Sequence, residues 1–182
     1  MEPRMSRLKR EIAQERPFSS REEEALLNLM RTADCIDRAF QHRTREWGIT
    51  GTQYNVLRIL RGAQPDGLPC SAIGDRMITA EPDITRLLSR LKALKLIRQQ
   101  RDRLDRRVVV TQISDSGLEL LRKMDPVIQR MPKELLSHLN TNDHREMIRL
   151  LELARLNCGD SDARTCSGNK SSGRVTCDKG AA

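Results

Sequence analysis

The sequence predicts a mainly α (α+β) fold, with long helices at both ends enclosing a short helix pair and a two- to three-stranded β-ribbon. Three observations predict it. Apolar residues recur at three- and four-residue spacing over most of the chain, the period of an amphipathic helix. A β-branched run, 108–113, follows a shorter run, 97–101, across a charged turn, the pattern of a hairpin. The length, 182 residues, fits one domain plus extensions at roughly 150 residues per domain.

Residues 1–19 are polar and basic with a break at Pro17, and read as a flexible basic arm. Ser20 followed by Glu23 has the form of a capping box. The helix it opens runs to about Trp47, with Ala25, Leu26, Leu29, Met30, Ala33, Ile36 and Phe40 at helical spacing. Gly48 and Gly51 bracket a turn. Thr52 is expected to cap a second helix, carrying Val56, Leu57, Ile59 and Leu60 and ending at Gly62. Pro65, Asp66 and Gly67 form a loop. A short helix is expected over 71–78 with Ile73 and Met77 inward, then a turn at 79–81. Pro82 suits the first position of the next helix, where no donor is needed. That helix runs to about Leu94. Ile84, Leu87, Leu88, Leu91 and Leu94 form its apolar stripe. Pro82, Arg86, Ser89, Arg90 and Ala93 fall opposite, with Thr85 at the edge.

Strands are expected at 97–101 and 108–113, joined by a charged turn. Ser114 caps a helix running from Asp115 towards Met131. Pro126 is expected to bend it, and Pro132 to start a further helical stretch. Thr141 is expected to cap a last helix whose Met147, Ile148, Leu150, Leu151, Leu153, Ala154 and Leu156 face inward. From 158 to 182 the composition turns to Ser, Gly, Asn, Asp and Lys, which reads as a disordered tail.

Composition excludes several classes. Hydrophobic residues are 37 % and charged residues 32 %, still enough leucine and isoleucine for a core. The aromatics are only Phe18, Phe40, Trp47 and Tyr54, too few for a stacking platform on single-stranded nucleic acid. No apolar run approaches the roughly 18 residues of a membrane span. The charged N-terminus lacks the apolar region of a secretory signal, so the expected compartment is the cytoplasm with reduced thiols. Cys35, Cys70, Cys158, Cys166 and Cys177 are odd in number and scattered, unlike a disulfide framework.

The net charge is +8, and its placement carries more than its size. Ten basic residues face four acidic ones over 76–107, a net +6, leaving +2 for the remainder. A solvated basic face is the bland reading; a phosphate footprint is the functional one. The same window holds a short helix, a turn, an amphipathic helix and an arginine-tipped ribbon. A major groove about 12 Å wide accepts such a helix. A minor groove accepts an arginine from the ribbon tip, above all where A·T-rich sequence deepens its negative potential.

Residues 68–118 resemble the winged helix-turn-helix regulators of the MarR (multiple antibiotic resistance regulator) family. The matching stretches are Pro82-Asp-Ile-Thr-Arg-Leu-Leu-Ser-Arg-Leu, Leu96-Ile97, the wing Asp102-Arg-Leu-Asp-Arg-Arg-Val-Val-Val, and Ile113-Ser-Asp-Ser-Gly117. The helix order extends the resemblance to about 21–157. It implies a winged-helix domain over 20–157, with dimerisation helices at 20–47 and 115–157 and a DNA-binding lobe at 52–113. It also implies a homodimer reading a pseudo-palindrome in double-stranded DNA. The expected DNA-binding residues are Ser71, Pro82, Thr85, Arg86, Ser89, Arg90, Arg103, Asp105, Arg106 and Arg107. Arg106 matches the family's minor-groove arginine. Asp105 is expected to hold an arginine by a charge-assisted bond, Arg103 and Arg107 to meet phosphates, and Asp83 to serve the helix dipole.

The resemblance also implies an effector site, for a small, anionic aromatic molecule, on segments carrying His42, Arg45, Trp47, Tyr54 and Arg58. Arg45 or Arg58 could pair a carboxylate there. The plainer reading puts Trp47 and Tyr54 in the core. Cys35 on the first long helix suggests an alternative, an oxidant-sensing regulator, although a thiol reacts only where its pKa is lowered. A second alternative is a winged helix used for protein–protein assembly, which has no need of the basic window. No metal is expected: Cys35 and His42 lie about 10 Å apart along a helix, too far for one zinc. No cofactor is expected either. An enzyme is not expected, since phosphate-loop, HExxH and GxSxG motifs are lacking.

Overall fold

The computed structural model describes residues 6–102 and 105–158. In chain order the elements are α1 (Arg7–Glu11), α2 (Arg21–Arg45), α3 (Gly51–Arg61), β1 (Leu68–Pro69), α4 (Cys70–Gly74), α5 (Ile84–Ala93), β2 (Ile97–Arg101), β3 (Val109–Ile113), α6 (Asp115–Leu135) and α7 (Thr141–Arg155). The Arg103 expectation and most of the tail, 159–182 with Cys166 and Cys177, lie outside the described residues.

The segment read as a mobile arm contains α1, whose Leu8 is buried. α1 lies against α2, where Glu11 Oε2 sits 3.9 Å from Arg31 Nε. The α2 cap is close to expectation. Ser20 Oγ accepts the Glu23 N–H, but the Glu23 carboxylate reaches back to the N–H and hydroxyl of Ser19 instead of Ser20.

α3 is capped by Thr50, not Thr52. Thr50 Oγ1 accepts the Gln53 N–H while Gln53 Oε1 accepts the Thr50 N–H, a complete capping box. This starts α3 at Gly51, which is therefore helical rather than part of a turn. Val56, Leu57 and Leu60 are fully enclosed.

The lobe core gathers Leu57, Leu60, Ile73, Leu88, Leu91 and Ile113 from α3 to β3 with Leu121 and Met124 of α6. A three-stranded antiparallel sheet of order β1-β3-β2 lies at its edge. Its register pairs Ile97 with Ile113 and Arg101 with Val109, and Leu68 of β1 with Thr111. Gly67 makes the entry to β1, at φ +76°, where a Cβ would overlap Gln112 and the Thr111 carbonyl.

α6 is one continuous helix through Pro126 and Pro132, without a fresh start at Pro132. Leu121, Met124, Ile128 and Met131 form its buried stripe. That burial offsets the donors the two prolines remove. α7 departs most from expectation. Its cap is Asn140, not Thr141, with Asp143 completing a capping box. None of its residues is buried within the chain: Ile148 is 55 % exposed and Leu153 50 %, and its C-cap Leu156 is 75 % exposed. Leu26 and Met30 of α2 are 57 % and 60 % exposed.

Candidate nucleic-acid interface

α5 divides cleanly into two faces. Ile84, Leu87, Leu88 and Leu91 are buried against the lobe. Thr85, Arg86, Ser89 and Arg90 are exposed on the other side. Leu94, read as the end of the apolar stripe, is instead 49 % exposed, because it already caps the helix. The beginning of α5 also differs from expectation. Pro82 precedes the helix, and Asp83 is its N-cap, with Oδ1 accepting the Arg86 N–H at 2.9 Å. A carboxylate satisfies a first-turn donor better than proline's missing N–H avoids one. Pro82 is exposed beside this cap.

Ser89 donates its hydroxyl to the Thr85 carbonyl at 2.9 Å, so its oxygen faces outward as an acceptor. Ser71 is exposed on α4. α4 is shorter than the expected 71–78 helix, ending at Gly74. Ile73 is buried and Met77 packs against the core, as expected.

The α5 exit is a left-handed turn. Lys95 has φ +60°, and the Leu96 N–H reaches the Leu91 carbonyl at 3.0 Å. This closure turns the chain directly into β2.

The wing tip is held by its own backbone. The Asp102 N–H reaches the Val108 carbonyl and the Val108 N–H reaches that of Asp105, each at 2.9 Å. Asp102 Oδ1 accepts the Asp105 N–H, and Asp105 Oδ1 accepts the Arg107 N–H. Asp105 therefore shapes the turn. Its carboxylate is 3.9 Å from Arg107 Nε, an ion pair longer than a hydrogen bond; the expected hold on an arginine also takes in Arg103, which lies outside the described residues. Arg106 and Arg107 are exposed at this tip.

The five effector-site residues do not form one cavity. His42 and Arg45 line a shallow open depression on α2 with Asp37, Arg38, Gln41 and Glu46. Arg45 also borders a second depression, between α2, the start of α3 and α5, with Gln41, Thr50, Glu81 and Arg90. Tyr54 is in the core, edge-on to Phe40 at 5.6 Å. Arg58 lies 6.0 Å over its ring, and burial pushes the Tyr54 hydroxyl pKa up. Trp47 packs against the core, its indole N–H enclosed without a partner among the described residues.

Cys35 is exposed, with Arg38 Nη2 3.8 Å from its sulfur. Among the described residues no group of three His, Cys, Asp or Glu side chains could hold a metal. No described helix is long and apolar enough to cross a membrane.

Residues 47–108, the lobe and wing just described, match the model of the MarR family. The chain is 36 % identical to a MarR transcription factor from Planctomyces limnophilus of known crystal structure, over 75 % of this chain and 99 % of that one, with a TM-score of 0.58. The chain belongs to the MarR family. A curated relative, the HTH-type transcriptional regulator YkoM of Bacillus subtilis, is 27 % identical over 141 residues, 75 % of this chain and 90 % of its own length. The fold is also that of S. aureus MepR, solved as a DNA complex: 24 % identity, TM-score 0.64, covering 71 % of this chain and 94 % of that one. The Planctomyces and Bacillus relatives are both named as proteins of transcriptional control.

Sequence reading missed Thr50 and Asn140 as caps, although Thr50-x-x-Gln53 and Asn140-x-x-Asp143 carried the signal. It also missed Asp37, Gln41, Thr50 and Glu81 in the depression beside α5, which no local motif marks.

Proposed function

We propose that this MarR-family chain acts as a homodimeric repressor, binding a pseudo-palindromic operator and released by a small anionic effector. One observation carries the DNA-binding part. The outward face of α5 offers Thr85, Arg86, Ser89 and Arg90 while its other face is fixed in the core. A rigidly backed helix of that kind can hold base-edge geometry in a major groove. The exposure of Arg106 and Arg107 at the wing tip supports contacts to a minor groove and its phosphates. The exposed apolar residues of α2 and α7 support the homodimer, since a second copy would cover them. The depression bordered by Arg45 and Arg90 supports the effector: a carboxylate pairing Arg45 there, beside Asp37 and Glu81, would bear on both α2 and α5. Release requires the effector to favour the DNA-incompetent arrangement.

The test is binding of purified protein to the DNA upstream of its own coding sequence, against a scrambled duplex, across a salt series. Preference for the upstream segment, with affinity falling steeply as salt rises, is the expected result. Equal weak binding to both counts against the proposal. Arg107→Ala should weaken all duplexes alike and reduce the salt slope by about one. Arg106→Ala should relax preference at an A·T-rich flank; unchanged binding would remove the wing from the interface.

A further inference from the structure

We propose that Asn55 is a positioning residue for DNA recognition, its side-chain oxygen fixing the connection between α4 and α5 by accepting the Ile78 N–H. The inference rests on the DNA-binding reading above. α4 ends at Gly74 and α5 starts at Ile84, so residues 75–83 aim the recognition helix. Met77 to Pro82 belong to no helix or strand. Asn55 lies in α3, half-buried between the core residues Tyr54 and Val56. Its Oδ1 accepts the Ile78 N–H at 3.2 Å, across 23 positions of sequence.

The Ile78 side chain is 82 % exposed, so packing does not hold this residue in place. Its backbone does. The preceding N–H, of Met77, reaches the Gly74 carbonyl at 3.1 Å, and Met77 itself packs against the core. Two consecutive peptide groups are thereby pinned at the mouth of an irregular segment, one of them by a side chain standing on a rigid helix. Without the Asn55 oxygen the connection gains conformational freedom. The start of α5, with Asp83, Thr85 and Arg86, then loses its fixed position. Base-edge contacts need that position far more than phosphate attraction does. The loss therefore falls on discrimination between sequences.

The experiment begins with duplexes selected from a random pool by the full-length wild-type protein. The wild type, Asn55→Leu and Asn55→Asp are then compared on the selected duplex and on a scrambled one, and exchange of the Ile78 amide is followed without DNA. Leucine removes the acceptor at similar volume; aspartate keeps an oxygen at the same reach. Asn55→Leu should lower the selected-to-scrambled affinity ratio roughly five-fold, the scale of one intramolecular hydrogen bond, and should speed Ile78 exchange. Asn55→Asp should restore both, because its extra charge weakens both duplexes and cancels in the ratio. Should Asn55→Leu fail to fold, Asn55→Ala makes the same comparison. A wild-type ratio in the variant lacking the acceptor overturns the proposal, as does a lowered ratio that aspartate does not rescue. If the wild type selects no sequence, the DNA-binding reading fails and this inference with it, whereas a selecting wild type beside an indifferent variant sinks the inference alone.

Discussion

Asp83 has two opposed effects. Its carboxylate caps α5 through the Arg86 N–H, and on the proposed reading it places a negative charge at the helix end that would meet DNA. Asparagine caps about as well as aspartate. Asp83→Asn should therefore leave the melting temperature nearly unchanged and tighten binding to any duplex a few-fold. Weaker binding would show the carboxylate touching DNA, as an acceptor from cytosine. Lys95 sits at φ +60° in the turn closing α5, where a Cβ is a burden. Lys95→Gly should raise stability by about 1 kcal/mol, read by thermal unfolding; a lower melting temperature would mean that the lysine side chain has a compensating contact. Residue identity explains why the sequence placed the α5 start early. Pro82 obeys the first-turn preference, but the neighbouring aspartate competes for the same helix end and its hydrogen bond wins.

At the scale of elements, helices and wing were legible wherever apolar period and burial agree. The α5 stripe from Ile84 to Leu91, the β2–β3 hairpin and the Ser114 cap all follow this rule. Helix ends were less legible, because each is settled by one side-chain hydrogen bond among several adjacent candidates, as Thr50 over Thr52 shows. The α2 start gives a pH prediction. The Ser19 hydroxyl and N–H hold the Glu23 carboxylate below the usual range. A carboxylate depressed in the folded state stabilises above its unfolded pKa and ceases to as pH falls through the folded value. The first turn of α2 should thus keep its amide protection at neutral pH and lose it below about pH 4. Protection that persists on acidification, or that vanishes already near pH 6, would assign the turn's stability to α1 packing instead.

At the scale of the whole molecule, α6 packs into the lobe core through Leu121 and Met124 and is tied to the earlier helices by two ion pairs. Arg43 of α2 meets Glu134 and Arg61 of α3 meets Asp125, each at 2.7 Å. α6 thus joins the lobe built on α3 to the long helix α2. The candidate site was legible to the extent that it is local: the exposed face of α5 and the wing arginines come from contiguous motifs. The depression between α2, α3 and α5 joins positions 37 to 90, and no spacing rule foretells it. The α7 residues expected inward were misjudged for a related reason: periodicity reports that a face is apolar, not whose core it enters. If that face belongs to a second copy, Ile148→Arg with Leu153→Arg should give a folded monomer in sedimentation. An unchanged dimer would assign the contact elsewhere.

In a homodimer closed through α7, its bare leucines would set how the protein responds to its own abundance. Where dimers and monomers exchange, the concentration of binding-competent protein rises with the square of the chain concentration at low expression, and linearly once dimers dominate. A weak α7 contact would make the control threshold-like, with a small drop in synthesis emptying the operator. A strong contact would make occupancy proportional to dose and insensitive to brief dilution at cell division.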